Sequence, residues 1–335
     1  MNRLVYLFIS FMMISACGSA DNFLEELEEV GGIDTIHIIP PTDSTNINPT
    51  DTITIIKNDT TIVGNDTIIT PKDSILADSI HSAYQPEITY TKFFTLSSTS
   101  KNTTQGFAVH DKYLFNCHHT NDVIDIYDLE SKKAVGEIHL EPETIVHCNN
   151  VNFGSERYSE DDKFPLLYIQ QRGYASKLNV YRIIDEGDSA FSAEKIQTIS
   201  FESCNWCINT IDKSRNLLYT FYGYKGNNYL SSFRMPSYHE GDITIHPKSA
   251  YKTFFCPYKK VGQDTAFDDK YLYITCGYGK EGELWRIDMD NKKARLIDLT
   301  KYKLNGEPEG LDVYKGDILL SFLSKALYKI TIVEN

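Results

Sequence analysis

Short apolar runs separated by polar turns fill the chain from Lys92 to Val333, and no window there sustains a helical period. The runs recur as one block, five times over. Each block opens on a small or polar segment: Gln105–Val109, Asn149–Phe153, Asn209–Ile211, Asp264–Phe267 and Glu309–Val313. An aromatic-aliphatic run follows at Tyr113–Phe115, Leu166–Ile169, Leu217–Tyr219, Tyr271–Ile274 and Ile318–Ser321. A third, alternating run comes at Val123–Tyr127, Leu178–Tyr181, Tyr229–Phe233, Leu284–Ile287 and Ala326–Ile330. Ala134–Ile138, Lys195–Ile199, Tyr251–Phe255 and Ala294–Ile297 supply a fourth run to the first four blocks. Four strands repeating every ~45 residues predict an all-β chain folded as a five-bladed β-propeller. The fifth block stops after three strands, and Lys92–Leu96 at the front is predicted to complete it, which removes two exposed sheet edges.

The patterning changes before this region. Residues 1–17 combine Arg3, an apolar stretch from Leu4 to Ile14 and the tetrad Ile14-Ser15-Ala16-Cys17, which resembles a lipobox. That run is short for a membrane span, so the reading is a processed lipoprotein signal with Cys17 as the acylated residue. The acidic stretch that follows (Asp21, Glu25, Glu26, Glu28, Glu29) resembles the one that some Gram-negative gut bacteria use to send lipoproteins to the cell surface. The chain is expected at the outer membrane, facing either the surface or the periplasm, and touching the membrane only through its lipid.

Residues 18–87 read as a tether. From Gly31 onward they are Asp, Thr, Ile and Pro with almost no aromatics, and such a stretch cannot bury enough apolar surface to offset its ordering entropy. The triplet Asp-Thr/Ser-Ile recurs there and resembles the O-glycosylation site of one phylum of Gram-negative gut bacteria. The resemblance implies glycans on Thr35, Thr52, Thr67, Ser74 and Ser79; an unmodified spacer is the alternative. The propeller would then occupy 88–335, as a monomer.

A formal net charge of -13 with no basic stripe argues against nucleic acid as a partner. The propeller's many Tyr and Phe rings fall mostly on strand positions, where packing between blades is their expected role. Beyond Cys17 there are six cysteines. Cys148 and Cys204 stand at equivalent points of neighbouring blades and form the candidate disulfide, whereas Cys117 and Cys276 read as buried thiols. Cys204 and Cys207 have redox spacing but lie at a strand and not before a helix.

Loops on one face of a propeller gather around the channel mouth, and this face is expected to carry function. Its candidate ligand-binding residues are Gln105, Asn149, Asn150, Arg172, Trp206, Tyr222, Tyr224, Asp264 and Glu309. Arg172 could grip an anion in a bidentate way, and the aromatics, with Tyr278, could stack on a sugar ring. Of His118-His119, at most one should face the mouth. Pro308-Glu309-Gly310-Leu311-Asp312 resembles the opening strand of gluconolactonase-type and esterase-like phytase propellers, whose relatives have six blades. That resemblance implies a channel cation, such as Ca2+, on Glu309, Asn150 and Asp264.

Two functions follow. One is a non-catalytic module that binds a glycan, peptide or envelope partner at the mouth. The other is a metal-dependent hydrolase of lactonase or phosphoesterase type, with His147 or His118 as base. The few mouth carboxylates (Asp264, Glu307, Glu309) come from two adjacent blades and argue against glycoside cleavage.

Overall fold

The computed structural model describes residues 86–96, 103–119, 122–141, 148, 150–171, 177–202, 207–224, 227–256, 260–291 and 293–333. Cys17, the five tether hydroxyl residues, His147, Asn149, Arg172, Cys204 and Trp206 lie outside them. Within the described residues the chain is a five-bladed β-propeller, as its repeat predicts. Blade one comprises β2 (Thr104–His110), β3 (Tyr113–His118), β4 (Val123–Asp128) and β5 (Lys133–His139). Blade two has β6 (Val151–Phe153), β7 (Leu167–Gln171), β8 (Lys177–Gly187) and β9 (Ala190–Phe201). In blade three the strands are β10 (Cys207–Asp212), β11 (Leu217–Tyr224), β12 (Asn227–Arg234) and β14 (Lys252–Cys256). Blade four holds β15 (Gly262–Phe267), β16 (Tyr271–Cys276), β17 (Glu283–Asp288) and β18 (Lys293–Asp298).

Blade five closes the ring. Its inner three strands are β19 (Pro308–Tyr314), β20 (Asp317–Phe322) and β21 (Ala326–Ile332), and its outer strand is β1 (Ile88–Thr95) from the front of the chain. β1 runs antiparallel to β21 from Ile88 opposite Ile332 to Thr95 opposite Ala326. The closure strand therefore begins before Lys92, where the apolar run alone placed its start. Glu87 O also accepts from Val333 N at 2.8 Å, which extends the ladder past the strand.

Blade two differs from the others in a way the repeat does not foretell. A short strand, β13 (Ile243–Ile245), comes from the connection after blade three's β12 and adds to β9 in parallel. Asp242 assists by accepting from Thr198 N at 2.7 Å, and Gln197 Nε2 donates to Gly241 O at 2.7 Å.

Each seam between neighbouring blades holds its own apolar cluster. The second strands show how. On β3, Phe115 and Cys117 pack toward blade two while Leu114 packs toward blade five. On β20, Ile318 and Leu320 face blade four and Leu319 faces blade one. A strand covered on both faces reads as a continuous apolar run, which explains the aromatic-aliphatic runs in the sequence. At about 1.5–3 kcal/mol for each large side chain taken from water, these seams supply most of the favourable folding energy.

The inner strands then ring the axis in the order β2, β6, β10, β15, β19 and back to β2. Tight first-to-second-strand hairpins line one face, with Asp111, Asn216, Asp269 and Lys315 in left-handed backbone. The connections that lead into the inner strands and those between second and third strands lie at the other end.

Candidate functional site

Where the inner strands begin, the polar residues of the mouth turn toward one another. Asn150 is fully buried just ahead of β6. Its Nδ2 donates to Asp264 Oδ1 at 2.6 Å and to Thr265 Oγ1 at 3.2 Å. Its Oδ1 accepts from Asn209 N at 2.9 Å, so blade two grips the backbone of blade three. Asp264, also fully buried, accepts at Oδ1 from Thr265 N (2.8 Å) and at Oδ2 from Leu311 N (2.7 Å), which ties blade four to blade five. Thr265 Oγ1 donates to Asn209 O at 2.7 Å and joins blades three and four.

Nearer the hairpin face the same device reappears at the closure. Asp312 Oδ2 accepts from Val109 N at 2.5 Å, and Oδ1 from Val313 N at 2.7 Å, so blade five holds blade one. Burial pushes the Asp264 carboxyl well above the ordinary carboxylate range, and it pushes Asp312 up to about 6. These groups hold the ring together at its axis. The sequence pointed to Asn150 and Asp264 but not to their partners Asn209 and Thr265, nor to Asp312 at the closure. The matching pairs Asn209-Thr210 and Asp264-Thr265 at one point of successive blades were the available signal.

The cation expected from Glu309, Asn150 and Asp264 can be set against this geometry. Asn150 aims an amide donor at the carboxylate and spends its one oxygen on Asn209 N. A metal needs oxygens converging on one point, so the Asn150–Asp264 pair does not fit it. Among the described residues, no three His, Cys, Asp or Glu side chains are placed to hold a metal ion. Glu309 is brought to the same level and is buried.

The other expected residues divide. Gln105 is buried, and its Nε2 donates to Thr104 O at 3.2 Å. His118, offered as a base, is fully buried with Nε2 2.8 Å from Asp125 Oδ2, while His119 is partly exposed. Tyr222 is half-buried on blade three, its ring stacked 5.8 Å from Tyr229, which in turn meets Phe255 edge-on at 5.8 Å. Cross-strand register puts Tyr222, Tyr229 and Phe255 in one row at the mouth end of that blade. Tyr278, in the turn after β16, is 70% exposed. The Tyr224 side chain falls outside the described residues.

Of the expected Cys148–Cys204 pair, only Cys148 is among the described residues. Cys148 is a buried thiol, and the thiol beside it is Cys117 of blade one. Cys276 is buried, as expected.

A hollow of about 610 Å3 opens on the opposite, hairpin face, between His110, Lys112, Lys213 and Tyr314. Two of its lysines are already paired, Lys112 with Asp128 at 2.7 Å and Lys315 with Glu130 at 3.1 Å.

No family model and no curated protein matches the chain. Solved structures do resemble it, at low identity. Glutaminyl cyclase of Myxococcus xanthus aligns over 75% of this chain and 100% of its own, with 13% identity and a TM-score of 0.48. The PQQ-bound aldose sugar dehydrogenase of Streptomyces coelicolor covers 73% of this chain and 100% of its own, at 8% identity and 0.46. Virginiamycin B lyase of Staphylococcus aureus, as the selenomethionine protein, covers 74% and 100%, at 13% identity and 0.42. None of these activities is carried over to this chain.

Proposed function

We propose that this protein is an exported, lipid-anchored recognition module, held off the membrane by its tether, that binds a glycan at the channel mouth without catalysis. One observation carries the reading: among the described residues, three groups a hydrolase would draw on, Asn150, Asp264 and His118, bond to the protein itself. Asn150 is spent on Asp264 and Asn209, Asp264 on Asn150 and Leu311, and His118 on Asp125. What the described part of the mouth offers a ligand is aromatic surface from the half-buried Tyr222, backed by Tyr229, and from the exposed Tyr278. Flat rings on a rigid frame suit the apolar faces of sugars, with little entropy to lose on binding.

Two measurements test this. Purified protein on a glycan array should give chelator-insensitive binding, weakened about 2- to 10-fold by Tyr222→Ala. Chelator-sensitive lactone or phosphoester turnover abolished by Glu309→Gln would instead establish the hydrolase. For the anchor, labelled palmitate should enter the wild type and not Cys17→Ala; label in the variant removes the lipoprotein reading.

A further inference from the structure

We propose that Cys117 and Cys148 form a disulfide that staples blade one to blade two. The proposal rests on the export reading above, because only an oxidising compartment maintains such a bond. Cys117 is the next-to-last residue of β3 and faces blade two, in the same buried cluster as Cys148. β2 bulges between Thr104 and Phe107, which leaves Gln105 and Gly106 across from Cys117. The Gly106 N–H points at Cys148 O, 3.5 Å away. The two cysteines therefore lie about a single bulged strand, in one buried cluster. Both are fully buried. Among the described residues, no other cysteine shares that cluster with them.

Under oxidation one thiolate displaces a glutathione thiolate from a mixed disulfide on the other cysteine, and an Sγ–Sγ bond forms. In the net change the two thiols lose two electrons and two protons, and one glutathione disulfide becomes two glutathione thiols. Burial pushes the Cys148 thiol well up, so the folded seam holds little thiolate to attack. The bond must form while the blades are still docking, and reduced protein that has already folded should resist oxidation.

The test is a peptide map. Cleavage after Lys and Arg leaves Cys117 in residues 113–132, Cys148 in 134–157 and both Cys204 and Cys207 in 196–213. The chain without residues 1–17 is refolded from denaturant with reduced and oxidised glutathione, alkylated without reduction and digested. The expected product joins 113–132 to 134–157, lighter by two hydrogen atoms than the two peptides together. Cys117→Ser and Cys148→Ser should each abolish it and lower the thermal midpoint, and the double variant should lower it no further than either. Recovery of both residues as alkylated thiols from refolded, soluble protein overturns the proposal, as does a link from Cys148 to Cys204. The same map of protein taken from the cell envelope reads the export claim separately. A link present after refolding but missing from envelope protein leaves the pairing intact and removes the export reading.

Discussion

Asn150 and Gly310 show how narrowly the axis of the ring is specified. Asn150 uses both halves of its amide, so Asn150→Leu leaves Asn209 N and one oxygen of Asp264 short of a partner. An orphaned buried donor costs about 1–3 kcal/mol and a buried charge more, so the variant is expected to lose about 2–4 kcal/mol in urea unfolding. A loss under 1 kcal/mol would mean that water reaches this network. Gly310 lies where β19 passes blade one, and a Cβ there would stand 2.3 Å from Phe107 Cδ1 and 2.8 Å from Ser321 Oγ. Gly310→Ala forces the seam apart and should cost about 1–3 kcal/mol by the same assay. Here the glycine is needed for space, whereas its place in the sequence suggested a family motif.

At the level of elements, the decisive strand is β1. It covers the otherwise open edge of β21, and Ile88 is buried in the seam of blades four and five. Leu96, just past the strand, is buried between blades five and one. Protein lacking residues up to Thr99 should therefore aggregate and melt lower than protein beginning at Pro86, as read by light scattering and circular dichroism. Equal stability of the two would show that the ring does not depend on this closure. The apolar run placed β1 correctly in space but cut it short, since it began at Lys92 whereas the ladder carries Ile88–Thr91 against Lys329–Ile332 as well. β13 was invisible for a similar reason: Ile243–Ile245 is too short to declare itself, and its partner belongs to another blade.

For the molecule as a whole, the axis carboxylates and the surface pairs set opposing pH dependences. Burial raises Asp312 from the ordinary 3.8 to about 6, and Asp264 is raised too, so between these values the folded chain binds more protons than the unfolded one. The Asp312 contribution, about 1–3 kcal/mol, is full below about pH 4 and is lost as pH rises through about 6. Asp128 and Glu240 behave the other way. Hydrogen bonds from Lys112 and Arg234 hold them at about 2, so their contribution is present above pH ~4.5 and lost as pH falls toward 2. The urea midpoint should peak near pH 4–5 and decline toward pH 7, with a shallower decline in Asp312→Asn. A midpoint that rises from pH 5 to 7 contradicts this placement of Asp312.

The sequence by itself determined the blade count, the four-strand block and the closure by the front strand. Each of these is written in a period of alternating burial that survives in one dimension. It also marked Asn150 and Asp264 as belonging together, through a resemblance that places two residues near an axis without saying which atoms face which. Only the tertiary structure decided that the amide meets the carboxylate, that His118 is buried, and that Cys148 lies beside Cys117. Those outcomes depend on contacts between strands remote in sequence, on a bulge at Gln105–Gly106 and on which face of a seam each side chain enters. No local pattern encodes such pairings, because a side chain's partner across a seam is fixed by how the blades close around the axis.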